Sequence, residues 1–160
     1  MVYRELLEDS FERLPAVLRR LHAPEGSACA RGVATVRRQN RWLAALIGFP
    51  NAGENLRVDL EVTANRDGQT WVRRFGGQVM RSKQRCEGGL LVEDMGPVRL
   101  RFRAAAGENG LVLASERAAL WGLPLPVKVR ASERGEGSGW TFEVEVSGVG
   151  WYGGTMELLP

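Results

Sequence analysis

The sequence predicts a mainly β protein: an antiparallel up-and-down β-barrel, or a strongly curled sheet, with helices at the N-terminus and one short helix after the first strand. Three observations predict it. Apolar and charged residues alternate through the second half, as in Val98-Arg99-Leu100-Arg101-Phe102-Arg103-Ala104 and Trp140-Thr141-Phe142-Glu143-Val144-Glu145-Val146. Successive side chains on a strand point to opposite faces, so each such segment has one face to bury and one to leave in water. Glycine-bearing turns interrupt this pattern roughly every eight to twelve positions, the spacing of a meander. Helical periodicity, in contrast, is confined to the region before residue 50.

The elements follow in order. Leu6, Leu7, Phe11, Leu14, Val17, Leu18 and Leu21 recur at three- and four-residue steps. Proline is tolerated only in a helix's first turn, so Pro15 divides the segment. One short helix is expected near 3–9 and a second from Pro15 to about His22, ending before Ala23-Pro24-Glu25-Gly26. Gly32 to Arg37 reads as a short strand. In 40–49, Trp42, Leu43, Leu46 and Ile47 cluster on one side of a helix that Asn40 caps and Gly48 and Pro50 stop. Strands and turns fill 55–158. Leu56, Val58, Leu60 and Val62 form one face of the first, and Arg66-Asp67-Gly68 is a hairpin turn. Trp71–Phe75, Val79–Cys86, Leu90–Asp94, Val98–Ala105, Leu111–Ala118, Val127–Ser132, Trp140–Val146 and Trp151–Leu158 follow, with Glu133–Gly139 a long polar turn. Helix-grip ligand folds end on a long helix across the sheet. This chain ends on a strand pattern instead, which favours the lipocalin-type barrel with helices closing one end or packing outside.

Composition narrows the function. With 160 residues, one domain spanning 1–160 is expected, large enough to bury about two-thirds of its unfolded surface. The net charge is +3, but the 22 Lys+Arg are scattered along strands among 19 Asp+Glu. A nucleic-acid surface concentrates its cations, so no nucleic-acid partner is expected. Cys29 and Cys86 form no Cys-x-x-Cys pair and His22 is the sole histidine, so no metal site is expected and the thiols read as buried or half-buried. The N-terminal residues open on charge rather than on a leader pattern, and the longest apolar run, Trp42–Phe49, is far too short for a membrane span. A cytoplasmic bacterial protein is the expectation.

Leu14-Pro15 with Leu21-His22, Trp71-x-Arg73-Arg74-Phe75-Gly76-Gly77, Gly96-Pro97 and Gly122-Leu123-Pro124-Leu125-Pro126 occur in this order. As an ordered set they resemble the bacterial domain of unknown function numbered 4166, over nearly the whole chain. In that family the domain stands alone or follows a saccharopine-dehydrogenase-like or short-chain-reductase-like domain. The resemblance therefore implies an NAD(P)-binding partner protein and supplies no activity to carry over. This chain has no Gly-x-Gly-x-x-Gly after a strand, so it holds no dinucleotide itself, and no cofactor is expected.

The candidate site rests on Trp71-Val72-Arg73-Arg74-Phe75. On a strand Trp71, Arg73 and Phe75 share a face, so inward aromatics carry Arg73 inward with them. A guanidinium inside a barrel is either paired to a structural acid, such as Glu93 or Glu116, or reserved for an anionic ligand. Arginine between aromatic walls suits bidentate capture of a carboxylate. Neither face of the Val79–Cys86 strand is strongly apolar. Such a strand sits at an edge, or else lines a polar cavity with Ser82 and Gln84 inward. Trp42 on the short helix completes the candidate set, as a lid or a plug over one barrel mouth. His22 is a candidate general base but stands in a helix's last turn, where the helix dipole favours it. Glu143 and Glu145 are expected to meet Arg99, Arg101 or Arg103 across the sheet. Two functions follow. One is a binding module for a small apolar or amphipathic anionic ligand, accessory to a reductase, with Arg73, Trp71, Phe75, Trp42 and Ser82 in contact. The other is a small barrel enzyme of cyclase or isomerase type, using a titratable group such as His22, Glu116 or Tyr152.

Overall fold

Sequential strand pairing closes this chain into a barrel. The computed structural model describes residues 2–23 and 25–160; Met1 and Pro24, the latter in the break expected after the second helix, lie outside the described residues. Eleven strands form one antiparallel sheet: β1 (Gly26–Arg38), β2 (Gly53–Asn65), β3 (Gly68–Phe75), β4 (Gln78–Glu87), β5 (Leu90–Met95), β6 (Val98–Gly107), β7 (Gly110–Leu120), β8 (Leu123–Pro124), β9 (Val129–Glu136), β10 (Gly139–Val146) and β11 (Gly150–Leu158). β8 is a two-residue appendage on β7, which also pairs with β9. The other ten strands run up and down in sequence order, and β11 returns to pair with β1. The expected barrel is therefore closed, each of these ten strands being paired on both sides.

Pairing on both sides decides what β4 is. It pairs with β3 on one side and β5 on the other, so it is not an edge. A strand without a strongly apolar face then needs a polar interior, and Ser82 and Gln84 are both buried there. The closing seam depends on missing side chains. Gly154 faces Ala34 in the β1–β11 register, and a Cβ on it would overlap the Val33 carbonyl oxygen.

Helices occupy both ends. α1 (Val2–Leu7), a 3-10 segment (Glu8–Arg13) and α2 (Ala16–Leu21) cover the end that carries the β2–β3, β4–β5, β6–β7 and β9–β10 turns. α1 packs on β4, β5 and β6, and α2 on β9 and β10. Pro15 stands at the α2 N-cap, as its missing N–H allows. It fits closely over Gly135, where a Cβ would strike its ring. Tyr3, Phe11, Leu18 and Leu21 drive the docking by burying almost completely. The first expected helix is thus split, its second half tightened to 3-10.

At the opposite end α3 (Arg41–Leu46) joins β1 to β2, capped by the Asn40 side chain, which accepts from the Leu43 N–H at 3.0 Å. Its apolar residues do not share a face as expected. Ala44 is fully buried, while Trp42 and Leu46, four residues apart, point to solvent. Other expectations also change. β1 is longer than Gly32–Arg37, and β9 continues through most of the expected polar turn. Cys29 is exposed and Cys86 half-buried. Glu143 and Glu145 lie on β10, between β9 and β11, and do not reach the β6 arginines. Arg99 pairs with Asp94 on β5 and Arg103 with Glu116 on β7, the strands that flank β6, while Arg101 reaches across β5 to Glu87 at the end of β4. No helix among the described residues is long and apolar enough to cross a membrane.

Candidate ligand cavity

The inner faces of the strands leave a hollow. Its volume is about 140 Å³, an order of magnitude above the roughly 10–15 Å³ that one water requires. Its wall changes character along the barrel axis. Toward α3 it is apolar, with Phe49, Phe75, Met80, Met95, Val98 and Val127. Toward the N-terminal helices Tyr3, Arg73, Gln84, Glu93, Ser132 and Glu133 contribute polar atoms. The exposed Gly48 and half-exposed Ile47, Leu125 and Val127 bring the apolar half to the surface.

Arg73 faces this interior together with Trp71 and Phe75, as strand alternation requires. It is not free. Its Nη2 donates to Glu93 Oε1 at 3.2 Å and its Nη1 to Ser82 Oγ at 3.0 Å. Ser82 Oγ in turn donates to the same Glu93 oxygen at 2.6 Å, and the guanidinium lies 4.8 Å from the Trp71 ring centre. Burial works against the Arg73 charge, but Glu93, with Tyr152 and Tyr3 adding to it, outweighs burial and raises the pKa. Of the two acids considered for it, Glu93 is the partner; Glu116 pairs outside the barrel with Arg103. A guanidinium has five N–H donors, and the bonds to Ser82 and Glu93 leave several without a protein acceptor.

A second network lines the helix-capped end. Tyr3 donates its hydroxyl to Gln84 Oε1 at 3.0 Å, and His22 Nε2 meets Glu133 Oε2 at 2.6 Å. The His22 ring packs 4.0 Å from Tyr3 and 5.6 Å from Trp71, centre to centre. Trp71 Nε1 donates to Gln69 Oε1 at 3.2 Å, and Gln69 reaches the Ala23 carbonyl. His22 is fully buried and its Nδ1 has no partner. The Tyr3 phenol is held well above its ordinary value by burial, with Glu133 and Glu93 adding to it.

Tyr152 stands in the apolar half, its ring edge-on to Phe49 at 5.4 Å and Phe75 at 5.3 Å. Burial pushes its pKa up to about 12, Arg73 partly opposing and Glu93 reinforcing the shift. Its hydroxyl makes no hydrogen bond among the described residues, so it remains a donor available to whatever enters.

Three of the five residues singled out from sequence, Trp71, Arg73 and Phe75, are on the cavity wall. Ser82 sits just behind it, holding Glu93. Trp42 is not on the wall: it is 89% exposed on the outer side of α3. Sequence reasoning missed Tyr3 and Glu133. Continuing the β9 alternation from Val129 and Ala131 would have put Glu133 on the inner face, but the glycines after it suggested a turn. Nothing local marked Tyr3, which reaches the cavity only because α1 caps the barrel.

Comparison with known proteins agrees with the motifs. Among curated proteins and among solved structures none matches this chain. The family model described as "Domain of unknown function (DUF4166)" matches residues 14–154, from the end of the 3-10 segment into the last strand and across every element of the cavity except α1. The ordered motifs, the barrel and this match agree: the chain belongs to the DUF4166 family.

Proposed function

We propose that the barrel is a binding module for a small amphipathic molecule, held polar end inward. The observation that carries this reading is the axial division of the cavity: polar groups at its middle and helix-capped end, apolar side chains toward α3. An apolar tail in the α3 half would remove its surface from water at about 25 cal/mol per Å². The polar end would lie between the spare N–H groups of Arg73 and the free hydroxyl of Tyr152. Both are donors, so the ligand group is an acceptor, a carboxylate or a carbonyl. Glu93 already neutralises Arg73, so a carboxylate competes with it for the guanidinium, whereas a carbonyl shares the remaining donors.

The fusions to reductase-like domains that the resemblance implies would put the barrel beside an NAD(P)-binding protein, to which it would present or from which it would accept its ligand. The free thiols Cys29 and Cys86 suit a cytoplasmic, reducing setting. Titrating delipidated protein with a fluorescent fatty acid tests the module directly. Saturable binding tighter than about 1 μM, displaced by unlabelled acid, is the expected result. Failure of both fatty acids and their neutral esters to bind would overturn it.

One observation favours a second reading, a small barrel enzyme of isomerase or cyclase type. Glu133 borders the cavity with one oxygen bonded to buried His22, an arrangement that fixes a carboxylate for proton transfer. Glu133→Gln separates the two readings. A binding module keeps its ligand affinity, whereas an enzyme turning over the bound ligand loses that turnover.

A further inference from the structure

The barrel's open end has a composition unlike the rest of the surface. The connections on this side are 39–52, 76–77, 96–97, 121–128 and 147–149. Together they contain no Asp or Glu; their only charged residues are Arg41 and Lys128, neither of which forms an ion pair among the described residues. Acids begin only within the strands behind the rim, at Glu54, Asp94 and Glu145, and Asp94 is paired with Arg85 and Arg99. The opposite end carries Glu8, Asp9, Glu25, Asp67 and Glu108.

The same connections hold the four most exposed large apolar residues among those described: Trp42 at 89%, Trp121 and Leu123 at 70%, and Leu46 at 49%. The barrel order places them on opposite sides of the opening. Trp42 and Leu46 stand between β1 and β2, while Trp121 and Leu123 stand beside β6 and β7, halfway round the ring. Residues next to each pair, Ile47 and Gly48 on one side and Leu125 and Val127 on the other, line the cavity itself.

Trp121 is held there against its own backbone preference. It and Gly122 form a two-residue hairpin turn with φ of 49° and 80°. Asn-Gly is the ordinary choice for such a turn, and a bulky residue at its first position is strained. An exposed tryptophan in a strained turn is an expensive choice for a residue meant only to meet water.

We propose that this end of the barrel docks on an anionic lipid surface, with Trp42 and Trp121 seated at headgroup level on either side of the cavity opening and Arg41 and Lys128 against lipid phosphates. Tryptophan favours the membrane–water interface, where its apolar body and its N–H are both satisfied. The absence of rim acids removes the repulsion that an anionic surface would otherwise exert. A flat surface touching both tryptophans covers the opening, so a lipid-derived molecule passes into the cavity without crossing water. Docking itself does not depend on what the cavity holds.

Flotation of the full chain with phosphatidylcholine vesicles, with and without phosphatidylglycerol, tests the inference. Binding is expected only with phosphatidylglycerol present, weakening as salt is raised, with a blue shift of tryptophan emission. Trp42→Gln with Trp121→Asn should lower vesicle affinity about tenfold or more, given the apolar area withdrawn. Both positions are exposed and Asn suits the turn, so melting should be unchanged or improved. Arg41→Gln with Lys128→Gln should lower affinity by about tenfold as well. No flotation with anionic vesicles, or flotation indifferent to the paired tryptophan changes, overturns the proposal. So does self-association that these changes abolish while vesicles are ignored, which would assign the rim to a second copy of the chain.

Discussion

Arg73→Met is the most informative single change in the barrel. It keeps most of the side chain's bulk but removes the donors to Glu93 and Ser82. Glu93, with its side chain 8% exposed, then retains only the 2.6 Å bond from Ser82. Removing one partner of a buried ion pair costs about 3–5 kcal/mol because the remaining charge is stranded. The surviving Ser82 bond and the adjoining cavity place this pair near the lower bound, about 3 kcal/mol. At about 2–4 °C per kcal/mol for a chain of this size, the melting temperature should fall by about 6–12 °C. Arg74→Met is the control. Arg74 pairs with Glu61 at 2.8 Å on the outer face, where Glu61 is exposed and Arg74 half-exposed, and its loss should cost no more than about 0.5 kcal/mol. Combining Arg73→Met with Glu93→Met removes both charges and should return stability to within about 1 kcal/mol of the native chain. Thermal melts followed by circular dichroism give all three values. An Arg73→Met protein that melts with the native one, or a double variant no more stable than the single, would refute the ion pair as a structural element.

Glu93→Gln leaves Arg73 charged and without its carboxylate, so a fluorescent fatty acid should bind about tenfold more tightly; unchanged affinity would remove Arg73 from the ligand site. The chain has two tyrosines, both buried, so phenolate absorbance of the folded protein should stay near zero as pH passes 10; half the signal appearing there would contradict the buried, desolvated Tyr152. Because the Tyr152 pKa is raised from 10.0 to about 12 by folding, its contribution to stability is complete below pH 10 and is lost as pH rises from 10 to 12, by about 3 kcal/mol. Denaturant titrations across that range measure it together with the loss from Tyr3, whose phenol folding also raises, and a flat profile would count against the shift. Gly154→Ala should separate the β1–β11 seam and cost about 1–3 kcal/mol in chemical denaturation, since its Cβ has a backbone carbonyl in its way; Gly77→Ala, where the same atom meets open space, should change stability by less than about 0.5 kcal/mol.

Alternation and turn chemistry are local properties, and they were enough to fix much of this protein. The period-2 pattern in Val98–Ala104 and Trp140–Val146, the hairpin at Arg66-Asp67-Gly68, the stop at Pro15 and the Asn40 cap all have their effect within a few residues. The shared face of Trp71, Arg73 and Phe75 was legible for the same reason: strand geometry alone puts them together. What the chain's order could not show was which strands become neighbours at the far ends of the sequence. Pairing β1 with β11 closes the ring, and pairing with both β3 and β5 makes β4 a cavity wall rather than a polar edge strand. Neighbourhood also chose Glu93 over Glu116 as the Arg73 partner, because β5 lies one strand beyond β4 while Glu116 points out of β7. Tyr3 and His22 reached the site from helices whose own periodicity spoke only of burial. Trp42 went the other way, turned outward when Ala44 became the contact with the barrel. In each case the deciding term is tertiary. An ion pair, a cap or an exposed tryptophan is set by distances between residues far apart in sequence, and those exist only once the barrel has closed.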